Sequence, residues 1–510
     1  MAIEKRTKST TEKGITGMLW NLSGSVVQII IKLFVIGVLA RLLTPEEFGI
    51  VAIMMLLVTF SELFSQMGIG SALIQLPKIT SSHIAQGYSL SVLIGLLIGI
   101  LFFFLAPIVG TFFDLTNADN AIRFFAIFFP LRSFNSITSA MLTRHLRFQL
   151  IVKTNVVSYV FGMGLTSIIL AYLGLGYWAL IWGQFAALMI SLLSLMYYER
   201  PSFALRFEKP ILRDLMFFGS GHTLGSIFNY FAENADNIIV GKLLGTSILG
   251  VYSKAFQLLA IPAQFFGNLF DKVLFPILSL KQDQKKKLAE FYLFSSSICF
   301  GMLIPLSVIV FINAKFIVDT LLGNQWQEVI VPFQILILGL AHRFGTKINK
   351  SYLKSIGLIY RGAYYQLIFA ILMFVCCSVG AYLYGIIGVA FGVLLATILN
   401  YLQVSYRLYV ELKFSMRLYF TMHLKTILVH LPFLTVTLVL FYYFEITSHI
   451  THLVLSICIY IPLMTLIFIN KNNIIFNKQN FQLLSQILKS FPNSMQKKFM
   501  KIRFLNQYYA

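Results

Sequence analysis

The amino-acid sequence predicts an all-α polytopic membrane protein with about 14 transmembrane helices. Charged residues make up only 12% of the chain, about half of the roughly 25% typical of soluble domains. Hydrophobic residues make up 58%, and the mean hydropathy is +0.81. Long apolar stretches recur along the chain, and basic residues gather in alternate loops between them. A soluble fold has no interior large enough for so many apolar side chains, whereas a bilayer accommodates them.

Fourteen apolar stretches are long enough, at about 1.5 Å per residue, to cross about 30 Å of hydrocarbon. The segment before them, residues 1–15, is basic and polar, and we expect it in the cytoplasm. The first stretch is too long for the core of a signal peptide, so we expect a retained first span. The stretches are residues 16–42, 48–75, 84–113, 118–142, 151–173, 177–198, 213–241, 247–278, 289–313, 328–350, 362–383, 387–408, 421–444 and 449–470.

The distribution of basic residues orients these spans. With the N-terminus inside, most of the 40 Lys and Arg residues fall in interior segments, and the exterior loops hold only Arg41, Lys242 and Lys315. One missed or extra span would exchange inside and outside downstream, so we predict an even number of spans and two cytoplasmic termini. The net charge of +21 is spread over short loops, which excludes a nucleic-acid-binding surface.

Introduced cysteines test this topology. In a background without the four native cysteines, cysteines in place of Asn117 and Asn324 should react with an impermeant thiol reagent added to intact cells. Both positions lie in predicted exterior loops. Cysteines in place of Gln282 and Gln479 should stay unlabelled until the cells are opened. Labelling at Gln282 in intact cells would contradict the predicted number of spans.

The chain also contains an internal repeat. At an offset of 201 residues, Gly24 aligns with Gly225, Gln28 with Asn229, ARLL at 40–43 with GKLL at 241–244, and Gly49 with Gly250. The offset contains six predicted spans, so the two copies have the same orientation. They are then related by an axis along the membrane normal. The predicted lobes are residues 16–198 and residues 213–408.

Three further segments lie outside the two lobes. Residues 199–212 are predicted to be a cytoplasmic linker, and residues 409–470 contain two extra C-terminal spans. The tail, residues 471–510, has apolar residues at helical spacing beside lysines. We expect an amphipathic helix on the anionic inner surface of the membrane, and a disordered basic tail is the alternative.

Polar residues inside the predicted spans are candidates for a transport cavity. A charge at the centre of a span costs about 2.5–3.5 kcal/mol, so it usually faces a cavity or a partner. The alternative is that these side chains only join helices. Arg123 lies nearer the end of a span, where snorkelling to the interface would account for it. The predicted substrate-binding residues are Gln28, Lys32, Arg132, Asn229, Glu233, Asp236 and Lys254.

Lys32 and Glu233 occupy equivalent positions in the two copies and carry opposite charges. Because an unpaired charge away from water is costly, we expect the two side chains to approach each other, directly or through water, in the empty protein. An anionic substrate would then compete with Glu233 or Asp236 for Lys32. A pair that only stabilises the fold is the alternative.

The sequence indicates no enzyme, cofactor or metal site. The sequence contains no P-loop, HExxH or GxSxG motif, and the longest predicted exterior loop, residues 314–327, is too short for a catalytic domain. All four cysteines lie in apolar stretches without metal-ligand spacing, and we interpret them as small buried hydrophobic residues.

Two motifs resemble the polysaccharide transporter family of Wzx-type flippases. The first is ARLLTPEEFGIVA at residues 40–52, after span 1. The second is DNIIVGKLLG at 236–245, followed by LGVYSKAFQL at 249–258. The resemblance extends over residues 14–470. It implies membership of the multidrug/oligosaccharidyl-lipid/polysaccharide exporter superfamily, with two six-helix lobes, alternating access and, in this branch, fourteen spans.

The resemblance also implies a function and a location. The implied substrate is an undecaprenyl-pyrophosphate-linked oligosaccharide for O-antigen, capsule or exopolysaccharide, moved from the cytoplasmic to the outer leaflet of the bacterial inner membrane. Implied partners are membrane lipids, a coupling cation (H+ or Na+), and polysaccharide polymerase and chain-length machinery. The alternatives are a cation-coupled drug or metabolite antiporter, a lipid II flippase, and a membrane glycan polymerase, ligase or glycosyltransferase. The antiporter is disfavoured because its typical span 1 carboxylate is replaced by Lys32.

Overall fold

The computed structural model describes residues 10–66, 68–115, 118–204, 207–279 and 284–443, and further on residue 451, residues 454–455 and residue 458. Within this part of the chain the secondary structure is helical and contains no strand. The predicted all-α class is therefore confirmed. Predicted span 14 and the predicted tail helix lie almost wholly outside the described residues.

Seventeen α-helices are labelled here in chain order, with a π-helical turn at Tyr159–Thr166 and a 3-10 helix at Asn324–Val329. Their bounds are α1 Thr10–Leu42, α2 Pro45–Gln66, α3 Ile69–Gln75, α4 Ser81–Phe112, α5 Asp119–Phe125, α6 Phe128–Arg144, α7 Phe148–Ser158, α8 Ser167–Tyr172, α9 Tyr177–Tyr198, α10 Lys209–Leu243, α11 Thr246–Ser279, α12 Lys285–Ile312, α13 Ala314–Leu321, α14 Ile330–Leu338, α15 Leu340–Ser355, α16 Ile359–Leu412 and α17 Met416–Tyr443.

Helix covers each of the first thirteen predicted spans, although some are interrupted. Predicted spans 11 and 12 run together as α16, which breaks at Tyr384 and Gly385, where Gly385 has φ 56°. By length and apolar composition, five described helices could cross a membrane, or six if the pair Asn324–Leu338 and Leu340–Ser355, bent by 43°, counts as one span. The chain is thus a multi-pass membrane protein, and the count of fourteen spans stays a prediction.

The helices cluster into two compact units. The first comprises the described residues within 1–261, 318–332 and 363–393, and the second comprises those within 262–317, 333–362 and 394–510. These units reflect the density of contacts, whereas the predicted lobes reflect the internal repeat. The lobe boundaries therefore stay a prediction.

In the first unit, the connection between α9 and α10 is fastened to α4. The backbone N–H of Glu208 donates to Gln86 Oε1 at 3.1 Å, and the Gln86 amide donates back to the Glu208 carboxylate at 3.3 Å. Ala204 N donates to Ser89 Oγ at 2.9 Å. Gln86 is fully buried, so its amide needs these partners. The predicted linker is thus hydrogen-bonded to α4 at Ala204 and at Glu208.

In the second unit, a buried hydrogen-bond network joins α15, α16 and α17. Tyr401 Oη lies 2.8 Å from His423 Nε2. Tyr419 Oη is within hydrogen-bond distance of Tyr401 Oη and, at 2.9 Å, of Ser405 Oγ. The Asn349 amide also donates to Ser405 Oγ, at 2.9 Å. The network attaches α17, which corresponds to the extra span 13, to helices of the predicted second lobe. Buried networks of this kind stabilise a fold only when every member is satisfied.

Removing the Tyr401 hydroxyl should therefore destabilise the second unit. Tyr401→Phe removes one of two partners each from His423 Nε2 and Tyr419 Oη, and a hydrogen bond typically contributes about 0.5–1.5 kcal/mol to stability. We expect a lower midpoint of thermal unfolding in detergent. Tyr406→Phe on the same helix is the matched control, because Tyr406 is 60% exposed. Equal midpoints for the two variants would mean that the network adds no stability.

Candidate functional site

The site begins at the turn between α1 and α2. Thr44 Oγ1 accepts from Glu47 N at 3.3 Å, and the Glu47 carboxylate accepts from Thr44 N at 2.7 Å. This reciprocal arrangement is a capping box, and Pro45 stands at the first helical position, where a missing N–H costs nothing. The TPEE part of the first motif is therefore a helix N-terminal capping sequence, and it starts α2.

The turns of the two repeat copies lie against each other reciprocally within the first unit. A Cβ atom added to Gly49 would collide with the Thr246 carbonyl oxygen, and one added to Gly250 would collide with the Pro45 carbonyl oxygen. Gly49 and Gly250 are equivalent at the offset of 201, and so are Pro45 and Thr246. Such an exchange of equivalent partners is what a local twofold pseudo-axis produces. Both glycines are required because backbones meet there.

A basic residue precedes each of these connections, in the last helical turn of α1 or α10, and contacts a segment of the opposite copy. Arg41 donates to the carbonyl oxygens of Thr320 at 2.7 Å and Leu321 at 3.1 Å. Its repeat equivalent, Lys242, forms an ion pair with Asp114 at 3.2 Å. Thr320 follows the ninth predicted span and Asp114 the third, so these contacts are also reciprocal. In the predicted topology all of them lie on the exterior side.

A buried lysine lies beside these turns. Lys254 is 4% exposed, and its ammonium lies 3.3 Å from the centre of the Phe48 ring and 6.0 Å from that of Trp326. Its one hydrogen-bond partner in the described structure is Gln257 Oε1, at 3.3 Å. No carboxylate pairs with Lys254 in the described part of the chain. Aromatic faces compensate a desolvated ammonium by about 2 kcal/mol or more, which is less than the several kcal/mol that burial of an ion costs.

The predicted exterior loop at residues 314–327 contains helix and a buried tryptophan, and its exterior location stays a prediction. That segment forms α13 and most of the 3-10 helix, and Trp326 is fully buried. Its indole N–H donates to the Ala40 carbonyl at 2.8 Å, and its ring meets Phe48 edge-on at a centroid distance of 5.6 Å. Burial of the indole against the first motif orders the segment. The segment thereby places the Trp326 ring beside the Lys254 ammonium.

Two further predicted residues on α10 are engaged by other polar groups. Asp236 is fully buried, accepts from Tyr252 Oη at 2.8 Å, and accepts from Asn237 N at 2.8 Å. The Gln366 amide donates to Asn229 Oδ1. Tyr252 lies two residues before Lys254 on α11, so the two side chains project to different sides of that helix. Tyr252, Gln366, Phe48 and Trp326 were not among the predicted site residues.

The other predicted residues are more accessible. Gln28, Lys32 and Arg132 are half-buried, and the side chain of Glu233 is exposed. The Lys32 ammonium lies 5.8 Å from the Tyr159 ring, and the Arg132 guanidinium lies 6.0 Å from the Phe128 ring. Among the described residues, no ion pair joins Lys32 to Glu233. The expected approach is therefore not made as a direct ion pair in this structure, and the approach through water stays a prediction.

The fold and these membrane-embedded charged residues define a class, the α-helical membrane transporters. The structure is similar to a lipid II flippase, MurJ, in an inward closed conformation, with a TM-score of 0.69 and 14% identity over 89% of this chain and 99% of that one. It is also similar to an inward-facing multidrug transporter of the MATE family, with a TM-score of 0.57 and 16% identity over 78% and 95%. At these identities the likeness establishes the fold alone.

Residues 38–331, more than half of the chain, match the family described as polysaccharide biosynthesis protein. The chain is 24% identical to the lipopolysaccharide biosynthesis protein WzxC of Escherichia coli, over 77% of this chain and 80% of that protein. It is 23% identical to the teichuronic acid biosynthesis protein TuaB of Bacillus subtilis, over 82% and 87%. The chain belongs to this family of Wzx-type flippases, whose members are transporters rather than enzymes, as the two motifs predicted.

Proposed function

We propose that this protein moves a polyprenyl-pyrophosphate-linked oligosaccharide from the cytoplasmic to the outer leaflet of the inner membrane by alternating access. The observation that carries the proposal is the buried ammonium of Lys254, which has aromatic and amide neighbours but no carboxylate partner in the described structure. Keeping a cation inside a span costs free energy, and residues that do so usually have a function such as binding a ligand. A pyrophosphate supplies the missing negative charge.

The chemistry of such a substrate suits the site. Its pyrophosphate and glycan cannot cross hydrocarbon unaided, whereas its polyprenyl tail can stay in the bilayer. Charge-assisted hydrogen bonds to phosphate oxygens are about twice as strong as neutral ones. Lys32 and Arg132 are proposed to meet the pyrophosphate earlier on its path, and Gln28, Asn229 and Glu233 are proposed to contact the glycan. The names of the relatives, which refer to lipopolysaccharide and teichuronic acid, support a glycan-bearing substrate.

The reciprocal turn contact supports alternating access. With Gly49 against Thr246 and Gly250 against Pro45, the ends of the two repeat copies that we predict to be exterior are in contact. Release to the outside then requires these backbones to separate. The arriving pyrophosphate would favour separation if it bound Lys254 more tightly in the open arrangement, because a ligand shifts only an equilibrium whose states it distinguishes.

Transport in reconstituted vesicles tests the proposal. The purified protein is placed in liposomes with a polyprenyl-pyrophosphate oligosaccharide carrying a radiolabelled sugar, and an impermeant glycosidase reports the molecules that reach the outer leaflet. Parallel vesicles contain lipid II or a cationic drug. We expect faster release of labelled sugar than in protein-free liposomes, and no comparable movement of the other two compounds. Faster movement of lipid II, or of the drug, would replace the proposed function by the corresponding alternative.

A further inference from the structure

Two adjoining cavities of opposite character lie in the first unit, at the predicted exterior ends of α4 and α5. The larger, about 820 Å³, is lined mainly by apolar and aromatic side chains, including Leu96, Phe104 and Trp178. The smaller, about 650 Å³, is lined by polar groups that include Asp114 and Asp119. Arg123 and Asn120 line both cavities. An apolar cavity beside a charged one matches an amphiphilic ligand, whose apolar tail and charged head would each have a suitable cavity.

Arg123 stands at the junction without a fixed counter-charge. Its guanidinium carbon lies 5.6 Å from the Phe103 ring, and its buried Nε has no hydrogen-bond partner in the described structure. Its other nitrogens belong to a planar fork that suits phosphate oxygens. Snorkelling to the membrane interface explains why a long basic side chain is tolerated there. It leaves the guanidinium at the border of the polar cavity, where a headgroup phosphate can reach it.

Asp119 and Arg123 are four residues apart on α5, a spacing at which opposite charges commonly pair. No ion pair between them occurs among the described residues, and both charges border the smaller cavity. The other carboxylate there, Asp114, is already paired with Lys242 at 3.2 Å. The polar cavity therefore offers one positive and one negative group, side by side, to a ligand.

We propose that this pair of cavities binds a membrane phospholipid with a primary amine in its headgroup, such as phosphatidylethanolamine. The phosphate accepts from Arg123, the ammonium donates to Asp119, and an acyl chain lies in the apolar cavity. A purely anionic headgroup is disfavoured because the Asp119 carboxylate beside Arg123 repels it. A choline headgroup lacks N–H donors for Asp119. The proposal concerns a resident lipid and is independent of the identity of the transported substrate.

Quenching of Trp178 fluorescence tests the proposal, because this indole lines the apolar cavity. The full-length protein in phosphatidylcholine vesicles is titrated with lipids brominated on the acyl chain and bearing ethanolamine, choline or glycerol headgroups. The quenching that disappears in Trp178→Phe is assigned to the cavity. We expect the ethanolamine lipid to act at a roughly three- to tenfold lower mole fraction than either other lipid, the effect of one or two partly exposed charge-assisted hydrogen bonds.

Variants assign the two contacts. Asp119→Asn should abolish the preference for ethanolamine over choline, and Arg123→Gln should weaken quenching by all three lipids. Arg213→Gln, an exposed arginine at the start of α10, is the matched control and should change neither. Equal quenching by all headgroups in the unmodified protein would overturn the proposal even if a variant failed to fold. So would tighter binding of the glycerol lipid, or an ethanolamine preference that persists in Asp119→Asn.

Discussion

Replacing Lys254 with methionine is expected to reduce transport roughly ten- to hundredfold while leaving the protein folded. The change removes the ammonium that the proposed pyrophosphate binds, and a hydrogen bond to a charged group is worth about 1.5–3 kcal/mol. Methionine has a similar length and suits an apolar site beside Phe48 and Trp326. Replacing a buried charge with an apolar side chain is often neutral or stabilising. The midpoint of thermal unfolding should therefore stay unchanged or rise.

Two variants make this result interpretable in the vesicle assay. Lys254→Arg keeps the charge and should keep a measurable part of the transport. Lys286→Met applies the same substitution to an exposed lysine of α12 and should behave like the parent. If Lys254→Met transported normally, the proposed role in substrate binding would be lost. A large fall in its thermal midpoint would instead make Lys254 a structural residue.

Valine at Gly250 is expected to prevent the exterior turns from closing. Its Cβ would collide with the Pro45 carbonyl oxygen, and overpacking of this kind costs about 1–3 kcal/mol. That cost corresponds to a roughly five- to 150-fold shift away from the closed arrangement. A cysteine in place of Leu43, which is 3% exposed, should then become reactive toward an impermeant maleimide. Transport should fall because the cycle needs both arrangements.

The pseudo-symmetry adds a sharper expectation. Gly49→Val should have the same effect as Gly250→Val, and the double variant should add little, because both changes open one contact. Gly362→Val is the matched control, since a Cβ atom there meets no neighbour within 4 Å. Unequal effects of the two single variants would contradict a reciprocal contact. An unreactive Leu43 cysteine in both would show that the turns are not a closure.

Much of the fold follows from local patterns in the sequence. Apolar stretches long enough to span a bilayer predicted the helices, because backbone groups in lipid must be satisfied within the segment. The sequence TPEE is itself a local signal, because its Thr44 and Glu47 form the capping box that starts α2. The repeat predicted which residues are equivalent. It could not predict that Gly49 would contact Thr246. The offset shows which residues are equivalent in the two copies, but equivalent copies need not touch.

The candidate site was predictable only in part. Lys254 and Asp236 could be selected because charges are rare and costly inside spans. Their neighbours could not: Phe48 and Tyr252 are ordinary aromatic residues in a chain whose aromatic share is 15%. The network around Tyr401 and His423 was likewise invisible, because its members come from separate helices and are single polar residues within otherwise apolar runs.

The sequence by itself determined the helical class, the membrane environment, the internal repeat and the family, because hydropathy, charge placement and motifs are properties of short segments. Tertiary structure decided which of the embedded charges find partners. The carbonyl oxygens that hold Arg41 come from residues 279 and 280 positions away, and Trp326 is buried against Ala40 from 286 positions away. Such contacts depend on how whole helices pack, so they leave no periodic signal along the chain.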